Sequence, residues 1–425
     1  MLHIWGAREA FICDKHFSIM HNGAIAFEEN VDKILAVGEY DTLCSQFPNA
    51  KTHFFSQGIL LPALINAHIH FEFGAHLAQF CYGDFGTWLD SLMDSRDEVL
   101  NIEDAYFESM LTQGINEQIN AGVGSVGAIS SYGNDMNALA SSPLRVVYFN
   151  EAIGSNPSAL DFLYANVGER LNNAKNLSSS TFIPALALHS PYSLHPIIAQ
   201  KLIDIATKDK LPLCAHFLES THEREWLTQN SGYFKTFFQR FFHIENPQSF
   251  YTPKSFLDML RVLKDTPLSL THCLYIKEEE AKMIESLQAS IITCPRSNRL
   301  LNNAFFSHSL LHNKQIPLAL GTDGKSSNNN VNLLDELRTS LYAYPQEDIL
   351  ALAKSLLLSA TLYGAKALGL NNGSLQEGKN VDFAIFEFDQ PLFYPNQSHP
   401  NQSPLHFILH ATKPVHLYIN AKAVL

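Results

Sequence analysis

From residue 59 onward the chain alternates short apolar runs with longer amphipathic stretches, and this restricts the fold more than any other feature. The apolar runs are Ile59–Ile65, Val123–Ile129, Arg145–Asn150, Phe182–His189, Pro212–His216, Leu268–His272, Ser290–Cys294 and Pro317–Gly321. Runs of this length without polar alternation suit strands covered on both faces. Stretches between them, such as Ile102–Ala121, His195–Lys208 and Lys277–Gln288, carry the spacing of amphipathic helices. Eight buried strands with helical connectors predict an α/β chain built on a (β/α)8 TIM-like barrel.

Both ends have a different texture. Residues 1 to 58 read as short strands and turns, with a hairpin around Glu28–Asn30. After Asp323 come two helical stretches, Leu333–Ala343 and Glu347–Leu368. GSLQEGKNVDFAIFEF and HLYINAKAVL then return to turn and strand. The economical arrangement is a small β-sandwich domain made from both termini (1–58 plus 370–425) beside a barrel of residues 59–369. Phe393–Leu405, with Pro395, Pro400 and Pro404, reads as a surface loop. A length of 425 residues accommodates both parts, and 46% hydrophobic with 17% charged residues excludes a disordered or coiled-coil chain.

Lys and Arg number 29 against 42 Asp and Glu, a net charge of −13, which argues against a nucleic-acid backbone as partner. The six cysteines show no CxxC spacing and fit free thiols in a reducing compartment. MLHIWGAREAF lacks the pattern of a signal peptide, and no long uncharged apolar stretch reads as a membrane span. A soluble cytoplasmic protein acting on a small molecule is expected.

Catalytic groups of such barrels sit at the C-terminal ends of the strands. Polar residues fall there repeatedly. The first strand leads into His68 and His70, two apart and so on one face. The fourth ends in His189, the fifth in His216 with Glu219 just beyond, the sixth in His272, and the eighth near Asp323. Two imidazoles on one strand end begin a transition-metal site, and the later residues complete one. Glu72 continues the His68 and His70 alternation, Glu151 follows the third strand, and Arg296 follows the seventh.

PALINAHIHFE, HFLES, THC, CPRSN and GTDGKSSN, in that order, resemble the amidohydrolase superfamily in its chlorohydrolase and nucleobase-deaminase branch. Ala63 stands where glycine is more usual. YGDFGTWLDSL, LRVVYFNEAIGSN, AHFLESTHEREWL and CPRSNRLL are most similar to aminofutalosine deaminases of the futalosine route to menaquinone. The resemblance implies one divalent ion, Zn2+ or Fe2+, on His68, His70, His216 and Asp323. No lysine ends the fourth strand, where binuclear members place a carbamylated bridge. It further implies proton transfer by Glu219, stabilisation of developing charge by His272, and a second role for Asp323 as acceptor of the water's first proton. Glu72, Glu151, His189 and Arg296 are candidate substrate contacts, Arg296 for a benzoate carboxylate. Glu72 is as readily a support for its neighbours, and Arg296 a brace paired to a nearby carboxylate.

The implied reaction is hydrolytic deamination of a 6-aminopurine nucleoside, first of all aminodeoxyfutalosine. Rival substrates are adenosine, S-adenosylhomocysteine, methylthioadenosine and guanine. A chlorohydrolase-type enzyme is a different class, and a metal-free scaffold a further one, separable by metal analysis. Nothing in the sequence sets the assembly; a homodimer is one state it allows.

Overall fold

The computed structural model describes residues 1–74, 80–95, 103–263, 265–389 and 401–425. Eight parallel strands form the central sheet: β1 (Leu64–Ile69), β2 (Val123–Ser130), β3 (Arg145–Ala152), β4 (Phe182–Leu188), β5 (Leu213–Phe217), β6 (Leu268–His272), β7 (Ser290–Thr293) and β8 (Leu318–Leu320). They pair in sequence order. Thr322 N and Asp323 N donate to the carbonyl of His68 at 3.1 and 3.0 Å, tying the end of β8 to β1. The result is the predicted (β/α)8 barrel.

Strand alternation sorts the side chains. Ile65, Ala67, Ile129, Val147, Phe149, Ala185, Ala187, Cys214, Ile292 and Ala319 fill the barrel interior. The helix Leu362–Leu368 adds Ala365, Ala367 and Leu368 to that interior cluster. Leu186, Leu188, Leu213, Ala215, Leu268 and Leu270 face outward, onto helices such as Pro196–Asp209 and Pro253–Met259. His195 caps the first of these through its Nδ1, and proline opens both, where a missing N–H costs nothing.

The terminal segments build a second sheet. Its strands, in spatial order, are Lys422–Ala423, His416–Ile419, Phe383–Glu387, Lys51–Pro62, Leu2–Phe11, Gly23–Glu28 and Ile34–Glu39, with Ile19–His21 paired to Leu2–Phe11. Gly23–Glu28 and Ile34–Glu39 are the expected hairpin. The sheet closes over its own apolar face around Trp5, Phe27, Phe383 and Tyr418. Ile34, on one edge strand, exchanges backbone bonds with Gly378 and Lys379 from the C-terminal segment. This is the β-sandwich element beside the barrel.

Three expectations are corrected. The first apolar run divides: Ile59–Pro62 ends a long strand of the terminal sheet, and the barrel strand starts at Leu64. Much of Phe393–Leu405 lies outside the described residues, and its end is not loop but the start of a helix, Ser403–His410, with Pro404 in its first turn. The apolar stretch Ile349–Leu368 is two helices broken at Ala360–Thr361, and Leu352, Leu356 and Leu357 are buried in the core between barrel and terminal sheet.

Barrel closure leaves no room at Gly321. A Cβ there would stand 2.8 Å from both the Cβ and the carbonyl oxygen of His68, and 3.0 Å from its nitrogen. Backbone cannot move aside as a flexible side chain can. Gly321→Ala is expected to destabilise the fold by about 2 kcal/mol, the scale of an overpacked core position. Chemical denaturation checks this, and unchanged stability would contradict the tight closure.

Candidate active site

The interior parity of β3, β4 and β5 carries Glu151, His189 and His216 to the C-terminal mouth. Other groups arrive by irregularity. In β1, Ile65 and Ala67 face inward, so regular alternation would turn His68 outward. The register with β2 shifts between Asn66 and Ile69, and this bulge brings His68 into the site. In β6, Leu268 and Leu270 face outward, and His272 would follow them. It reaches the site with a left-handed backbone, φ +68°. Asp323, at φ +60°, is held by its own bond to the His68 carbonyl.

These side chains converge. Ring centroids lie 5.0 Å apart for His68 and His70, 4.9 Å for His68 and His216, and 5.6 Å for His70 and His216. Asp323 Oδ1 stands 3.8 Å from His68 Nε2 and 3.6 Å from His70 Nε2. Donor atoms of His68, His70 and Asp323 lie within 4.8 Å of one another, as do those of His68, His216 and His272. His216 Nδ1 meets the carbonyl of His189 at 2.8 Å, and His68 Nδ1 meets Thr271 Oγ1 at 3.3 Å. The opposite nitrogens are thereby free for a ligand. His68 Nε2 is buried with no hydrogen-bond partner among the described residues.

Electrostatics point the same way. Burial, reinforced by neighbouring imidazoles, holds His68 and His216 well below the usual histidine range, so both are neutral with lone pairs available. Burial opposes ionisation of Asp323. Attraction to neighbouring imidazoles in their charged form, His70 first, together with the hydrogen bond from Ser297, outweighs that and keeps its carboxyl below the usual range. Neutral imidazoles with an unpartnered buried nitrogen beside a carboxylate anion fit a divalent cation.

Next to this cluster, His272 Nε2 and Glu219 Oε1 are 3.6 Å apart. His272 Nδ1 is held by Asn298 Oδ1 at 2.8 Å, and Asn298 Nδ2 by Thr293 Oγ1 at 3.2 Å. That chain puts the proton on Nδ1 and leaves Nε2 as an acceptor facing Glu219. Burial first, and then the charges of Asp323 and Glu223, raise the Glu219 carboxyl well above its usual value. It therefore holds its proton to higher pH than an exposed carboxyl does.

A cavity of about 280 Å³ opens over these groups. Its floor is His70, Glu151, His189, His216, Glu219, His272 and Asp323. Its outer wall is apolar, from Phe85, Trp88, Leu89, Leu92 and Met93 on the helix Phe85–Asp94, and from Phe237, Phe238 and Phe242 on the helix Tyr233–Phe242. The Trp88 indole N–H donates to Ser326 O at 2.9 Å, pinning the first helix to the loop after β8.

The model of the amidohydrolase family matches residues 59–424. The chain belongs to the amidohydrolase family. Over 405 residues it is 38% identical to an aminodeoxyfutalosine deaminase from a Nitratiruptor species, covering 95% of this chain and 96% of that protein. It is 36% identical to an adenosine deaminase from Helicobacter pylori, with each chain covered in full. The crystal structure of Helicobacter pylori aminofutalosine deaminase in complex with methylthio-coformycin superposes with a TM-score of 0.92 at 35% identity, again over the whole of both chains.

Within this amidohydrolase chain, two expected substrate contacts fall elsewhere. Glu72 is taken up by the loop after β2: it accepts from Ser131 N at 2.7 Å, Ser130 Oγ at 2.9 Å, Tyr132 N at 3.0 Å and Gly133 N at 3.1 Å. Arg296 spends its guanidinium on Glu336 Oε1 (2.8 Å), on Asn329 Oδ1 and Asn330 Oδ1, and on the carbonyls of Asn330 and Asn332. It is the brace alternative, with Glu336 as its carboxylate. Glu151 and His189 do line the cavity. His189 Nδ1 is held by Ser193 Oγ, whose own proton goes to Ser190 O, so His189 Nε2 is left as an acceptor. Ser297 and Asn298, inside the recognised CPRSN motif, were not singled out by sequence reasoning; they hold Asp323 and His272.

Arg296→Met breaks a buried pair and leaves the fully buried Glu336 without its counter-charge, with only the backbone N–H at position 296 and the Asn328 side chain as donors. Such breakage costs about 3 kcal/mol or more. The expected outcome is a lower unfolding midpoint and an equal fall in kcat/KM for substrates with and without a carboxylate. A loss confined to the carboxylate-bearing substrate would return Arg296 to the cavity wall.

Proposed function

We propose that this protein is a metal-dependent hydrolytic deaminase of a 6-aminopurine nucleoside, converting aminodeoxyfutalosine to deoxyfutalosine and ammonia in menaquinone biosynthesis. The carrying observation is the buried Glu219 carboxyl, 3.6 Å from His272 Nε2, beside the three-histidine and aspartate cluster. Relatives named for this activity support the substrate.

His68, His70, His216 and Asp323 would hold one divalent ion, Zn2+ or Fe2+, which acts when bound as a Lewis acid towards water. Deamination then places two demands on the protein. The ring nitrogen next to the amine-bearing carbon must receive a proton as the attacking oxygen adds, and departing ammonia must receive another. Glu219 begins protonated and supplies the first. It regains a proton from the added hydroxyl and passes it to the leaving nitrogen. Asp323, held anionic, accepts the proton that water loses on attack and, once ammonia has left, returns it to Glu219 across the space they share with His272, so both carboxyls regain their starting states. His272, its Nδ1–H fixed on Asn298, turns Nε2 to the same space and orients the water. Glu151 and His189 present acceptors to the nucleoside from the opposite side of the floor.

Among the described residues the cavity wall holds no Lys or Arg. A benzoate ring would lie against the apolar outer wall with its carboxylate turned to solvent. The same wall would take a small apolar 5′ substituent, so deamination of adenosine or methylthioadenosine is the second reading, and an adenosine deaminase stands among the relatives. The division into a terminal β domain and a barrel domain belongs to this proposal, with its first boundary moved from 58 to 62 by the pairing of Ile59–Pro62. Its proposed setting is the cytoplasm, with a small-molecule nucleoside as partner.

Glu219→Gln is expected to keep fold and metal and to lower kcat by about a hundredfold or more, the scale of a positioned acid. Loss of metal in that variant would make Glu219 a ligand. An ammonia-release screen over aminodeoxyfutalosine, adenosine, methylthioadenosine, S-adenosylhomocysteine and guanine should give its highest kcat/KM on the first. A clear preference for another of these would overturn the substrate assignment while leaving the chemistry.

A further inference from the structure

Glu223 sits at the third position of the helix Thr221–Gln229, three residues after its N-cap Ser220. Ser220 Oγ accepts from Glu223 N at 3.0 Å. A Ser-x-x-Glu sequence here predicts a capping box, in which the glutamate reaches back to the amide of Ser220. Instead the Glu223 carboxylate reaches further. Its Oε2 accepts from Glu219 N at 2.9 Å, and the amide of Leu218 also donates to the carboxylate.

The displacement matters because of what those amides belong to. Leu218 has φ +48°, a left-handed backbone that a branched side chain adopts only at a cost. This turn swings the chain off the end of β5 and aims Glu219 at His272. Its other side is fixed by Tyr275 N, which donates to Leu218 O at 3.0 Å. The amides of Leu218 and Glu219 have turned away from the sheet and need an acceptor. An ordinary helix-capping glutamate is solvated, whereas Glu223 is wholly buried, and its Oε1 has no partner among the described residues. Burying a carboxyl this way is costly, and the two amides of the turn are the return visible in the structure.

We infer that Glu223 is a positioning residue for the deamination, fixing the strained turn that aims Glu219. The inference rests on the proton-transfer role of Glu219 proposed above. It needs acceptor oxygens at Glu223 more than it needs charge. Burial first pushes the Glu223 carboxyl up to about 7, so the neutral form already serves near neutrality.

The test is ammonia release by the full-length, metal-loaded enzyme. Glu223→Ala should lower kcat by about tenfold or more, with KM within about twofold and metal content unchanged. Glu223→Gln, which keeps an acceptor oxygen, should recover most of kcat. Glu223→Asp keeps the carboxyl but lacks the reach and should resemble the alanine variant, so it stands in if that one does not fold. On a Glu219→Gln background, Glu223→Ala should cost little more, because nothing is left to aim. Equal losses on both backgrounds, or an alanine variant with full kcat and only a lower melting temperature, would reduce Glu223 to a structural cap. Full activity in Glu219→Gln alone would instead overturn the proton-transfer role and remove the basis of this inference.

Discussion

The carbonyl of His68 accepts from two backbone amides, Thr322 N and Asp323 N, and much of the molecule depends on that junction. It joins the last barrel strand to the first, so the sheet has no open edge there. It also sets the carboxylate of Asp323 opposite the imidazoles of His68 and His70. Asn66, two residues earlier, repeats the link through its side chain: Thr322 N donates to its Oδ1 and its Nδ2 donates to Thr322 Oγ1. Gly321 permits the approach. Closure of the fold and assembly of the candidate metal centre are one structural event.

Parity explains how much of this could be read from residues alone. Eight apolar runs sufficed for the barrel because strand period and burial on both faces leave little choice. Glu151, His189 and His216 continue the inward alternation of their strands, and their convergence was legible for that reason. His68 and His272 break the alternation, one by a bulge and one by a left-handed residue. Simple alternation would have turned both away from the mouth. What places them in the site from sequence is their position at the strand ends, together with the order of the motifs.

The residues misplaced or missed share a different cause. Glu72 follows the bend after β1, where alternation no longer applies, and its carboxylate is saturated by one loop. Arg296 lies on the helix Pro295–Asn302. There residues two apart point about 200° away from each other. Asn298 faces His272, so Arg296 must face Glu336 on the neighbouring helix Leu333–Ala343. A position after the seventh strand, which is all the sequence assigns to CPRSN, makes no such distinction. Sequence shows which polar groups stand at the barrel mouth; only the structure shows which are already consumed by hydrogen bonds and which remain open to a ligand.

The central claim is that the ends of β1, β5 and β8 hold a single divalent ion. The direct measurement is elemental analysis of the purified full-length protein after loading with Zn2+ or Fe2+ and removal of excess metal, beside His68→Ala and His216→Ala variants of verified fold. One ion per chain in the native sequence, and essentially none in either variant, is the predicted result. A native protein that releases ammonia without stoichiometric metal, or folded variants that retain a full equivalent, would contradict it.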